Sequence, residues 1–68
     1  MNDDTFNMSV RKFLKSVGVR SQHEIEQAVA LAIASGKLKG NESLKAKMVL
    51  TVSGIDIDIS FDDKIDLE

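Results

Sequence analysis

The stretch "VGVRSQHE", Val17 to Glu24, decides how this chain is built. Gly18 stands directly after the last residue of an apolar stripe, where a helix closes best on a left-handed residue without a Cβ. Ser21 and Glu24 have capping-box spacing: the Ser hydroxyl accepts from one free N–H of a new helix while Glu reaches back to another. The stretch thus reads as a break. One helix covers about residues 3–17, a short "GVR" link follows, and a second helix covers about 22–35. So short a link makes an angled or antiparallel pair rather than one rod.

Upstream of the break, Phe6, Val10, Phe13, Leu14 and Val17 form one stripe at a period of 3.6. Asn2, Asp3 and Asp4 are oxygen-bearing residues suited to a helix start, where free N–H groups and the positive dipole end need them. Downstream, Ile25, Val29, Ala32 and Ile33 form the stripe, and Gly36 is the expected stop. The segment "AVALAIA", residues 28–34, is apolar nearly all round. A surface helix usually shows one apolar stripe and one wet face. Leu31 lies about 200° round the helix from Val29, so one crevice cannot take both. Leu31, with Ala30 and Ala34, is left with no intrachain element to cover it.

From Leu44 the apolar period changes to 2, which marks strands over about 44–52 and 55–61. A reversal at Ser53–Gly54 pairs Val52 with Ile55, Leu50 with Ile57, Met48 with Ile59 and Ala46 with Phe61. The other face then pairs Lys47 with Ser60 and Lys45 with Asp62, so polarity matches throughout. A longer loop of the same parity keeps the same faces. The tail "KIDLE" continues the alternation, which extends the sheet to a third strand over 64–68. Its cost is Glu68 opposite Asp58, like against like. The expected fold is α+β: two N-terminal helices packed on a C-terminal antiparallel β-hairpin or three-stranded meander, ααββ(β), as a single domain over 1–68.

A domain of 68 residues buries little surface and is marginally stable alone. With no Cys, neither disulfides nor a thiolate metal site can reinforce it. The acidic, polar start lacks the basic flank and apolar core of a secretory signal. No apolar run approaches the roughly 20 residues that cross a bilayer. A soluble, cytoplasmic protein is expected, with no membrane contact. Net charge is -2 but uneven. Residues 1–47 carry eight Lys/Arg against five Asp/Glu, whereas residues 48–68 carry one Lys against six Asp/Glu. The basic front suggests nucleic acid and the acidic back argues against it.

The segments "DDTFNMSVRKFLKSVGV", "SQHEIEQAV" and "GKLKGNESLKAKMVL", with the alternation running on to "IDLE", resemble a family of short, uncharacterised bacterial proteins of about this length. The resemblance covers essentially the whole chain. It implies a stand-alone soluble bacterial protein and carries over no activity, cofactor or catalytic residue.

Little in the sequence points to chemistry. His23 is the sole histidine, and with no Cys or second His it reads as a surface residue rather than a metal ligand. Asp56, Asp58 and Asp62, with Asp66 and Glu68 beside them, could hold a hard cation, but "DIDISFDD" lacks a calcium-loop pattern and reads as a solvated sheet face. No nucleophile–base pairing appears, and "SGKLKG" lacks the phosphate-loop spacing. An enzyme is not expected, nor a cofactor, a metal or an identifiable small-molecule ligand.

Two functions remain. "FLKSVGVRSQHEIEQAV" resembles a helix-turn-helix with the hairpin as a wing, and Arg11, Lys12, Lys15, Arg20, Lys37 and Lys39 would then contact phosphates. Against it, Glu24 and Glu26 would repel the backbone, the wing is rich in Asp, and the reading helix is rich in Ala. The preferred reading is a non-catalytic protein–protein interaction module. It uses Ala30, Leu31 and Ala34 as the contact, most simply in a homodimer.

Overall fold

One helix, α1 (Asp3–Ala34), is followed by two strands, β1 (Ser43–Thr51) and β2 (Asp58–Asp66), in a computed structural model that describes residues 1–68. The α+β class is as the periodicities indicate. The chain divides into two compact units, Met1–Lys37 and Leu38–Glu68.

The expected break between two helices is absent: α1 runs unbroken through "VGVRSQHE" for 32 residues. Gly36, Gly40 and Gly54 take positive φ, and Gly18 does not. Magnitudes explain the outcome. A Gly inside a helix costs about 1 kcal/mol relative to Ala. A break would strand up to four carbonyls and four N–H groups that the continuous helix bonds internally. Nothing in 17–24 forbids helical dihedrals, since the chain has no Pro. Ser21 and Glu24 are therefore interior helical residues and not a cap.

The outer ends follow the sequence closely. The Asn2 side chain accepts from the Thr5 N–H at 3.1 Å, and Asp3 and Asp4 occupy the first turn. At the other end, Gly36 takes φ +81°. The Gly36 N–H donates to the Ile33 carbonyl at 3.1 Å and the Lys37 N–H to the Ala32 carbonyl at 2.8 Å. This pair of bonds is a Schellman closure, which satisfies two carbonyls the helix cannot.

β1 and β2 form a two-stranded antiparallel sheet, so the third strand over 64–68 does not form. Its first residues, Lys64 to Asp66, instead extend β2. The register is also two residues from the tight-turn expectation: Leu44 pairs with Ile65, Met48 with Phe61 and Leu50 with Ile59. Parity is preserved, so each strand keeps its expected faces. The strands are joined by a longer loop, Val52–Ile57, in which Gly54 takes φ +88° and the Ile57 N–H donates to the Ile55 carbonyl at 3.1 Å. The longer loop costs little closure entropy. In return the ladder reaches the tail. The Ser43 hydroxyl donates to the Asp66 carboxylate at 2.7 Å, and the Leu67 N–H donates to the Glu42 carbonyl at 3.0 Å.

Candidate functional site

A two-stranded ribbon is marginally stable by itself, and a single helix depends on packing of its apolar stripe. No residue of the chain is buried. Along α1 the lower exposures trace one line. Val17, Ser21, Val29 and Ala32 are half-buried, and Val10 and Ile25 are only slightly more exposed. Phe6, Phe13 and Leu14 beside that line are about half exposed. These residues were expected in a core shared by two helices. They instead belong to one long apolar stripe that crosses the position of the expected break.

The signal for this continuity lies in the spacing. Phe6, Val17 and Ala28 are eleven residues apart, as are Val10, Ser21 and Ala32, and Leu14 and Ile25. An eleven-residue repeat keeps side chains on one face of a nearly straight helix, because eleven residues make three turns. A real turn at 18–21 would have no need to preserve that phase.

Leu31 is 71% exposed, the highest value among the large apolar residues of α1's second half. With Gln27, Ala30 and Ala34 it lines a shallow, open concavity. The three expected contact residues are thus brought together on the outside of the helix.

The six basic candidates are divided. Arg11, Lys12 and Lys15 line another shallow concavity of α1 with Thr5, Met8 and Ser9. Arg20 lies further along the helix, and Lys37 and Lys39 follow its end. No helix-turn-helix presents them, since the turn is helical.

On the hairpin, one face carries Leu44–Ile65, Met48–Phe61, Leu50–Ile59 and Ala46–Asp63. The opposite face carries Lys45–Lys64, Lys47–Asp62 and Thr51–Asp58. Asp58, Asp62 and Asp66 therefore share the polar face, while Asp56 lies in the loop. No group of three or more His, Cys, Asp or Glu side chains comes together to hold a metal ion. His23 is an exposed helical residue.

Sequence reasoning missed one polar arrangement. The Glu42 carboxylate accepts from three successive backbone N–H groups: Lys39 at 2.8 Å, Gly40 at 2.9 Å and Asn41 at 3.2 Å. The Lys39 N–H first, then that of Gly40, holds the Glu42 carboxyl below the ordinary glutamate range. Gly40, at φ +107°, gives the backbone the curvature that aims these groups at one point. The concavity could receive an anion, but the chain's own carboxylate fills it.

No helix is long and apolar enough to cross a membrane. No curated protein and no solved structure shows a significant match to the chain. One family profile matches residues 1–68, the whole of the sequence, and its description is a family of unknown function (DUF6494). The resemblance read from "DDTFNMSVRKFLKSVGV" and the segments after it thus holds, and the chain belongs to this family of unknown function.

Proposed function

We propose that this chain is a non-catalytic protein–protein interaction module of the cytoplasm that associates with itself. The observation that carries this reading is the absence of any buried residue beside a helix of 32 residues with an apolar stripe. An isolated helix gains little from propensity alone and depends on packing of that stripe. Burying a Leu or Phe side chain contributes roughly 1.5–3 kcal/mol, so a handful of such contacts decides whether the chain is stably folded. Ala30, Leu31 and Ala34 supply an additional contact, in which small side chains let a neighbouring backbone approach Leu31. Two-fold self-association is the commonest use of such a surface.

Light scattering on the full chain tests this. A mass of twice 7.5 kDa or more, falling on dilution, is the expected result. Leu31→Lys should weaken the association while the helical circular dichroism at high concentration persists. A particle of 7.5 kDa at every concentration, with full helicity, would overturn the reading.

A further inference from the structure

We infer that α1 pairs with α1 of a second copy in antiparallel orientation, about a two-fold axis level with Val19. The contact is the stripe of Phe6, Val10, Phe13, Val17, Ser21, Ile25, Ala28 and Ala32. This rests on the self-association reading and assigns its surface and its geometry.

Three features on the helix carry it. First is size. The stripe is bulky in its first half, with Phe6, Val10, Phe13 and Val17, and small in much of its second, with Ser21, Ala28 and Ala32. The spacing reads the same from either end, so a two-fold level with Val19 sets Phe6 opposite Ala32 of the second copy. It likewise sets Val10 opposite Ala28, Phe13 opposite Ile25, and Val17 opposite Ser21. A larger side chain meets a small one at three of these four levels, and Phe13 meets Ile25 at the fourth, so bulk is spread along the seam rather than gathered at one end. A parallel pair would set Phe against Phe at one end and Ala against Ala at the other.

Second is charge. Between Met8 and Arg20 the helix carries Arg11, Lys12, Lys15 and Arg20 and no acid. Between Ser21 and Ala34 it carries Glu24 and Glu26 and no Lys or Arg. Lys12 and Glu26 lie on the side of the helix away from the stripe, so the charges that matter to the seam are those nearest it, Arg20 and Glu24. Parallel pairing would set Arg20 beside Arg20 and Glu24 beside Glu24, like against like at both levels. Arg20 and Glu24 border the stripe on one side. The two-fold sets the two Arg20 side by side and flanks them with the two Glu24, one at each end, a cluster of zero net charge.

Third is continuity. The eleven-residue spacing keeps the stripe on one face over about 40 Å, so two nearly straight helices can stay in contact from end to end. Leu31 lies on the border of this stripe, level with Asn7 of the second copy and beside its Phe6. The exposed Leu31 thus joins the same seam.

The chain has no Cys, so single cysteines at exposed Thr5 and Ser16 take spin labels cleanly. The two positions are eleven residues apart and share one side of the helix. Pulsed dipolar measurements on Thr5→Cys should give an inter-copy distance of about 40 Å or more, because each label lies about 21 Å from the two-fold. Ser16→Cys should give a distance under about 25 Å, its label lying within about 5 Å of the two-fold along the axis. Short distances from both labels would mean a parallel pair and would overturn the geometry while leaving self-association intact. Long distances from both would mean a dimer through another surface, with the same consequence. No inter-copy signal from either label, together with a 7.5 kDa mass by light scattering, would overturn both.

Discussion

Asp63 stands directly across from Ala46, on the hairpin face whose other cross-strand pairs are Leu44–Ile65, Met48–Phe61 and Leu50–Ile59. A carboxylate in the middle of an apolar face weakens whatever packs there. It also discourages the face from adding strands or stacking on copies of itself, a common protection for a ribbon with open edges. The tight-turn register hid this, because it placed Phe61 opposite Ala46. Asp63→Val should complete the apolar face and raise association. Light scattering should show larger species at concentrations where the parent chain is monodisperse. An unchanged mass distribution would mean that the carboxylate has no such role.

Gly18 decides between a broken and a continuous helix. An added Cβ at Gly18 meets nothing within 4 Å. In a continuous helix Gly18→Ala should stabilise by roughly 0.5–1 kcal/mol, since Ala loses less backbone entropy. At a left-handed helix end the same change would destabilise. Thermal unfolding followed at 222 nm distinguishes the two, and a fall in the midpoint would restore the two-helix fold.

Gly36 should behave in the opposite way. It also has open space, but its φ of +81° is a conformation that an L side chain rarely adopts. Gly36→Ala should cost about 1 kcal/mol through backbone strain, with fraying of the last helical turn. Loss of amide protection confined to the residues before Gly36 is the expected hydrogen-exchange pattern.

The contrast between these two glycines shows where the sequence was legible. Both follow apolar stripe residues, and local pattern alone does not separate them. At Gly36 the stripe ends and the next apolar residues change period, so the stop was readable. At Gly18 the stripe resumes in phase one turn later, from Val17 to Ser21 and Ile25, and only the eleven-residue repeat reveals it. The hairpin was legible in its faces, because parity survives a two-residue slip. Its register was not, because Ser43–Asp66 and the Leu67–Glu42 bond lie beyond the turn that a local reading favours. The grouping of Ala30, Leu31 and Ala34 on one exposed side of the helix was legible from angular position alone.

The basic residues should not confer useful DNA affinity. Arg11, Lys12 and Lys15 share one helix with Glu24 and Glu26, and no second helix sets a reading angle. If Arg11, Lys12, Lys15, Arg20, Lys37 and Lys39 all met phosphates, affinity would fall by orders of magnitude as salt rises, by release of counterions. Fluorescence anisotropy with a duplex at about 0.15 M salt should show no micromolar complex, the range typical of non-specific binding. A micromolar complex that is lost in Lys12→Glu would make the basic face a functional surface.

Glu42 sets the pH response of the loop between helix and hairpin. Its carboxylate holds the Lys39, Gly40 and Asn41 N–H groups, and these bonds favour the charged form. The folded value therefore lies below the unfolded one. A group of this kind contributes its full stabilisation above its unfolded value and loses it as pH falls through the folded value. The loop should thus be ordered at neutral pH and loosen in acid, below the ordinary glutamate range. The carboxyl resonance of Glu42, followed by NMR, should titrate at lower pH than it does in the urea-unfolded chain. Glu42→Gln should remove that acid dependence, and amide exchange at Lys39, Gly40 and Asn41 should accelerate at neutral pH, because a neutral amide oxygen is a weaker acceptor for three donors. A Glu42 midpoint equal to or above that of the unfolded chain would show that the three bonds do not persist in solution.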